Sequence, residues 1–304
     1  TKDQYAPRSL RGYPLPGNLQ VVTPNIRGYY NYSIKLQERQ TYYFLGAVND
    51  LTGVSIKSSQ PISVFSGHSC ALVVTPTCDH IVEQVTPTAT WGKLFFSPPI
   101  YGRADGDLYR VIAMASDTAI TVTMSGAKRY ISNMTYNITK GGVQELQIPQ
   151  NTFITVESNK PIYVMQYQKG RGSSHAGDPS MATVAPVEQY LNSYVVVPYE
   201  LTNFLLPPIT SSQLYLAIAV FQEFYDKNQI FVDNKTLDEA SPDNDFTTNQ
   251  WYPLHCFNGA AAPVCGYGAI VPITNADVSY YIRHSNPKAG LFVNLQGLNN
   301  QISF

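Results

Sequence analysis

Along most of the chain, apolar and polar residues alternate with a period of two, the pattern of strands buried on one face. It predicts strands at Trp91–Pro98, Asp107–Ala115, Ile120–Met124, Val143–Ile148, Phe153–Ser158 and Ile162–Gln168. Turn-forming residues interrupt the alternation every ~8–12 residues, the rhythm of a β-sandwich. No long stretch repeats at helical spacing. Short helical turns are expected only at His80–Gln84 and Pro186–Tyr190. The longest apolar run, Leu214–Phe221, has eight residues, against the ~20 that span a bilayer.

The pattern repeats. Val54–Val64 matches Ile154–Val164 at an offset of 100, with Ser58/Ser158, Pro61/Pro161, Ile62/Ile162 and Val64/Val164 identical. At the same offset Trp91–Pro98 falls on Leu191–Pro198, and Leu108–Ala113 resembles Leu214–Ala219 further on. A third version of the strand pair appears at Ile282–Val293. In each pair the Ser-x-x-Pro or Ser-Asn-Pro step is expected to turn the chain between two strands. The reading is an all-β protein of tandem antiparallel β-sandwich units of about 100 residues. An extended Pro-rich segment (1–18) precedes a partial unit (19–90), a unit at 91–186 and a unit at 187–304 with an insertion, Lys235–Gly268, that holds two cysteines. In the first unit Leu19-Gln-Val21 aligns with Ile120-Thr-Val122, and nothing upstream of it matches the two preceding strands. Pro7, Pro14 and Pro16 stand in their place, and Pro cannot donate to a ladder. Either a strand from another chain completes this unit, or it is a smaller cap whose tail loops back on itself.

Composition supports strands and narrows the function. Charged residues make up 13% of the chain, where ~25% is usual. The space is taken by 22 Tyr, 20 Gly and 21 Pro together with many Ser and Thr. A hydrophobic fraction of 44% is enough for a core. A net charge of −1 provides no basic surface for nucleic acid or for anionic lipid.

The four cysteines fall into two local pairs, Cys70/Cys78 and Cys256/Cys265. His68 and His80 frame the first pair symmetrically, so a Cys2His2 zinc set stands beside a disulfide as a reading. Zinc ligand pairs sit closer in sequence than eight residues, which favours the disulfide. The second pair has His255 alone beside it, and the disulfide is favoured there as well. Sequons at Asn31, Asn133, Asn137 and Asn234 permit N-glycosylation in a secreted protein. A signal peptide is not present and the chain opens on Thr1, the expectation being a mature or trimmed chain.

Catalytic chemistry has one candidate. The loop Lys169–Ser180 contains Ser173, Ser174, His175 and Asp178, but triad partners come from separate elements and no nucleophile elbow is present. A Gly/Ser-rich connector explains the same residues. Asp105/Asp107 and Asp243/Asp245 lack the spaced ligands of a calcium loop and read as turn residues. No catalytic, cofactor or metal residue is therefore assigned.

Ser66-Gly-His-Ser-Cys-Ala71, Thr77-Cys-Asp-His-Ile-Val-Glu-Gln84 and Trp91-Gly92 together resemble the signature of the N-terminal domain of the IgG-Fc-binding protein family. Gly177–Met181, Glu188-Gln-Tyr190 and Asn192-Ser-Tyr194 also resemble its motifs. The resemblance runs from about Val54 to Gly297 and is pattern more than identity beyond Tyr199. It implies a secreted, non-catalytic β module of mucus and matrix-type proteins, with Cys70 and Cys78 as a disulfide. Immunoglobulin binding is not carried over, because no residue here can be assigned to it.

The expected function is non-enzymatic and extracellular: a structural or adhesive module. Its partners would be other copies of itself, head-to-tail and filamentous, or other extracellular proteins, with strand addition into the incomplete first unit. A glycan-binding module using the abundant Tyr is the alternative, and a secreted hydrolase stands third. Strand edges are normally defended by Lys; here few charges defend them.

Overall fold

The computed structural model describes residues 19–22, 31–45, 50–126, 129–170, 177–198, 213–237, 251–273 and 278–298. Two compact units result, Thr1–Ser55 and Ile56–Phe304. In the first, β1 (Leu19–Val22) pairs antiparallel with β2 (Asn31–Ile34), Leu19 opposite Ile34.

The second unit is all-β and antiparallel. A two-stranded hairpin, β3 (Phe65–Leu72) and β4 (Cys78–Gln84), comes first. Next come β5 (Gly92–Ser97), β6 (Asp107–Ala113), β7 (Thr118–Gly126), β8 (Arg129–Ile138), β9 (Val143–Ile148), β10 (Phe153–Gln168) and β11 (Ser180–Val184), which pair among themselves. The remaining strands make two four-stranded sheets. One is ordered β12 (Ser193–Val196), β18 (Tyr280–His284), β14 (Ile230–Val232), β15 (Lys235–Thr236). The other is ordered β16 (Tyr252–His255), β17 (Val264–Ile273), β13 (Gln213–Phe221), β19 (Leu291–Leu298).

The sheet centred on β13 is covered on both faces. Tyr215, Ala219, Leu254, Ile270 and Phe292 join a core with Phe95, Phe96, Phe153 and Val164 of the seven-stranded sheet. Leu216, Ile218, Val220, Val271 and Leu291, on the opposite face, join Ile230, Val232 and Ile282. This explains the run Leu214–Phe221: a strand with two buried faces has no polar side to alternate with. Gly266 and Gly268 of β17 admit the rings of the neighbouring sheet. A Cβ there would stand 2.8 Å from Phe96 Cε2 and 2.6 Å from Phe153 Cε1 respectively.

Three local expectations are corrected. Phe153–Ser158 and Ile162–Gln168 are not two strands about a turn but one strand, β10. Its first half pairs with β7 and its second with β6, and its register against β5 shifts between Glu157 and Ile162. Pro161 lies in that shift, where the missing N–H removes no ladder bond. The equivalent Val54–Val64 forms no strand, and Val54, Ile56 and Ile62 are exposed. Alternation alone cannot hold a strand that has no neighbour to pair with. His80–Gln84 is not a helical turn either but part of β4, held by pairing to β3. Pro186–Tyr190 does contain a 3-10 turn, Val187–Gln189. The segment expected as an insertion contributes β16 and β17, the latter paired with β13 along eight residues.

Candidate protein-binding surface

The hairpin β3–β4 carries most of the signature Ser66–Ala71 and Thr77–Gln84. The structure pairs Cys70 with Cys78, with Cα atoms 5.0 Å apart, at the point where the ladder register shifts between His68 and Ala71. The Cys70 amide donates to His68 Nδ1 at 3.0 Å. Among the described residues no group of three or more His, Cys, Asp or Glu is placed to hold a metal ion. Gly67 must be glycine, since a Cβ there would strike the Ile81 carbonyl. The hairpin is anchored through β4, because the Thr183 amide of β11 donates to Glu83 Oε1 at 3.3 Å. Its other surface is apolar and open, with Phe65 63%, Leu72 65% and Val82 52% exposed. No described strand pairs with β3 on the side away from β4.

The other signature residues hold the sheets together. Trp91 stacks on Tyr163 with ring centroids 5.4 Å apart, and its Nε1 donates to the Thr86 carbonyl. Gly92 leaves room for the ring of Pro186 and the carboxylate of Glu188, and Glu188 accepts the Lys93 amide. The Asn192 carboxamide donates to the carbonyls of His284, Asn286 and Ala289. Tyr194 Oη accepts from the Leu191 amide and donates to the Leu291 carbonyl. A chemist reading sequence alone sees polar side chains here and finds no cue that they are struts.

The second cysteine pair, Cys256 and Cys265, has Cα atoms 5.7 Å apart and closes the β16–β17 turn. The Phe257 amide within it donates to Glu157 Oε2 at 2.6 Å. Burial raises the pKa of Glu157, and this bond opposes the rise. His255 Nδ1 lies 3.0 Å from Ser125 Oγ, and burial lowers its pKa.

The catalytic candidates Ser173, Ser174 and His175 lie outside the described residues, as do Asp243 and Asp245. Asp107, expected as a turn residue, is buried at the start of β6. Its Oδ2 accepts from the Ile100 amide at 2.9 Å and from Gln166 Nε2 at 3.0 Å. Burial pushes its pKa up to about 6, against those hydrogen bonds and the charges of Lys169 and Arg103. Arg103 in turn donates to the carbonyls of Lys169 and Gly170, fixing the strand end that leads into the Gly/Ser-rich loop. Of the sequons, Asn137 and Asn234 are exposed. Asn133 is half-buried, and its Oδ1 accepts from Tyr130 Oη at 2.9 Å. Asn31 lies in β2, its side chain outside the described residues. No helix among the described residues is long and apolar enough to cross a membrane.

A protein family described as IgGFc binding protein matches residues 16–278. The human (Homo sapiens) IgGFc-binding protein is 30% identical over 148 residues. That match covers 48% of this chain and 3% of the human protein, so this chain spans a small part of that relative's length. No solved structure matches the chain. With residues 16–278, most of its length, matched, the chain belongs to the IgGFc-binding protein family.

Proposed function

We propose that this chain is an extracellular, non-catalytic module that binds proteins, and that a second copy of itself is a partner. The observation that carries this reading is the hairpin β3–β4. It is the family's signature segment, its open surface is apolar, and β3 carries no Lys or other charged residue to discourage a neighbouring strand. A strand added along β3 would gain main-chain hydrogen bonds and cover Phe65 and Leu72. Membership of the family supports the extracellular setting, as do the two cysteine pairs. The repeat boundaries 19–90, 91–186 and 187–304 belong to the proposal. They are supported by strand pairing, since β5–β11 pair only among themselves and β12–β19 likewise among the described residues.

The test is sedimentation velocity over a wide concentration range, for the chain as given and for a Phe65→Ser, Leu72→Ser, Val82→Ser variant. The native chain is expected to sediment faster as concentration rises, and the variant to remain monomeric. A native chain that stays monomeric throughout overturns self-association, and equal association by the variant overturns the hairpin as its site.

A further inference from the structure

A second recognition site lies away from the hairpin. A cleft of about 270 Å³ opens between β10, β11 and β19, lined by Gln166, Gln168, Ser180, Asn294, Leu295 and Gln296 among others. At about 30 Å³ per molecule it has the room of roughly nine waters. Three features of it call for a ligand of one kind.

The first is an unmet donor. Gln168 is 2% exposed, and its Nε2 has no hydrogen-bond partner among the described residues. Its Oε1 is only 3.5 Å from Ser180 Oγ. A buried polar atom without a partner costs about 1–3 kcal/mol, so a ligand that supplies one is held strongly for its size. Gln166 and Gln296 are, by contrast, already engaged. Gln166 donates to the Pro98 carbonyl and Tyr109 Oη, and Gln296 accepts from the Tyr101 amide and donates to the Pro99 carbonyl. They form a fixed wall beside the unsatisfied amide of Gln168.

The second is an open sheet edge. The Leu291 amide donates to the Leu191 carbonyl and the Leu291 carbonyl accepts from Tyr194 Oη, so its main chain points away from β13. Alternation along an antiparallel strand turns the main-chain groups of Val293, Leu295 and Gly297 the same way. Beyond the bridge between Leu191 and Leu291 at its start, no described strand pairs with β19 on that side, and Leu295 lines the cleft.

The third is charge. Among the described residues no Asp, Glu, Lys or Arg lines the cleft, so an ionised ligand would be desolvated without compensation. Nor does an aromatic ring of the described residues line it, which leaves no platform there for a sugar face.

We infer that this cleft binds an extended, uncharged peptide segment of a partner protein, which adds to the edge of β19 and offers a main-chain carbonyl to Gln168. This shares with the reading above only that the ligand is a polypeptide. It uses different residues, so loss at the hairpin leaves it standing.

The test pans a phage-displayed random decapeptide library on the full chain, then measures retained peptides by fluorescence anisotropy. The expected peptides are poor in charged residues, and their affinity falls tenfold or more with Gln168→Leu. Asn294→Ala, a milder change at the cleft wall, is expected to weaken binding several-fold and serves if Gln168→Leu does not fold. N-methylating alternate peptide residues is expected to abolish binding in one phase and spare it in the other, as a ladder requires. The hairpin triple variant is expected to bind these peptides like the native chain. Failure to retain any peptide, equal binding by both cleft variants, or indifference to N-methylation overturns the inference. So does retention of N-acetylated oligosaccharides on a glycan array in a Gln168-dependent way, which would make the ligand a sugar.

Discussion

Phe153 fills the space that a side chain at residue 268 would need: a Cβ on Gly268 would stand 2.6 Å from its Cε1. The ring is fully buried and stacks on Tyr252 with centroids 4.6 Å apart. Two sheets therefore meet at a glycine in one and an aromatic ring in the other. Neither can give way, because Gly268 sits in β17, paired to both β13 and β16.

Gly268→Ala is accordingly expected to destabilise the fold by about 1–3 kcal/mol, the usual cost of overpacking a core. Chemical denaturation would read this as a lower midpoint with an unchanged slope. Adding Phe153→Leu, which withdraws the ring, should recover part of the loss. A Gly268→Ala variant as stable as the native chain would show that these sheets do not pack as described.

Asp107 predicts a pH dependence. Its folded pKa of about 6 lies above the ordinary value of 3.8, so the folded state holds a proton that the unfolded state releases. Its contribution is present in full below about pH 4 and is lost as pH rises through about 6. A shift of this size corresponds to on the order of 3 kcal/mol. Denaturation midpoints compared between pH 4 and pH 7 should fall more steeply for the native chain than for Asp107→Asn, which cannot titrate. Glu157, also raised by burial, adds a slope of the same sign to both proteins and cancels in the difference. Parallel profiles would refute the assignment to Asp107.

Sequon occupancy should follow exposure. Asn137 and Asn234 are exposed, whereas Asn133 is half-buried with its Oδ1 engaged by Tyr130. On secretion from a glycosylating host, glycopeptide mass spectrometry is expected to find glycan at Asn137 and Asn234 and little at Asn133. Tyr130→Phe should raise occupancy at Asn133 if that hydrogen bond restrains it. Heavy modification of Asn133 in the native chain would contradict its placement on β8.

What the sequence determined by itself is the class of structure. Alternation with period two placed strands at Val143–Ile148 and Asp107–Ala115, against observed strands Val143–Ile148 and Asp107–Ala113, because one-sided burial writes itself into every second residue. The signature residues around Cys70 and Cys78 pointed to the family for the same reason: local patterns survive in local sequence. The tertiary structure alone decided what is paired with what. It made one strand of Phe153–Gln168, since a ladder continues wherever partners stand on either side of Pro161. It left the similar Val54–Val64 outside any strand. It also set Gln168, a commonplace residue in sequence, against β19 more than a hundred positions away. Hydrogen-bond partners and excluded volume arise between distant segments, and no stretch of sequence contains both sides of such a contact.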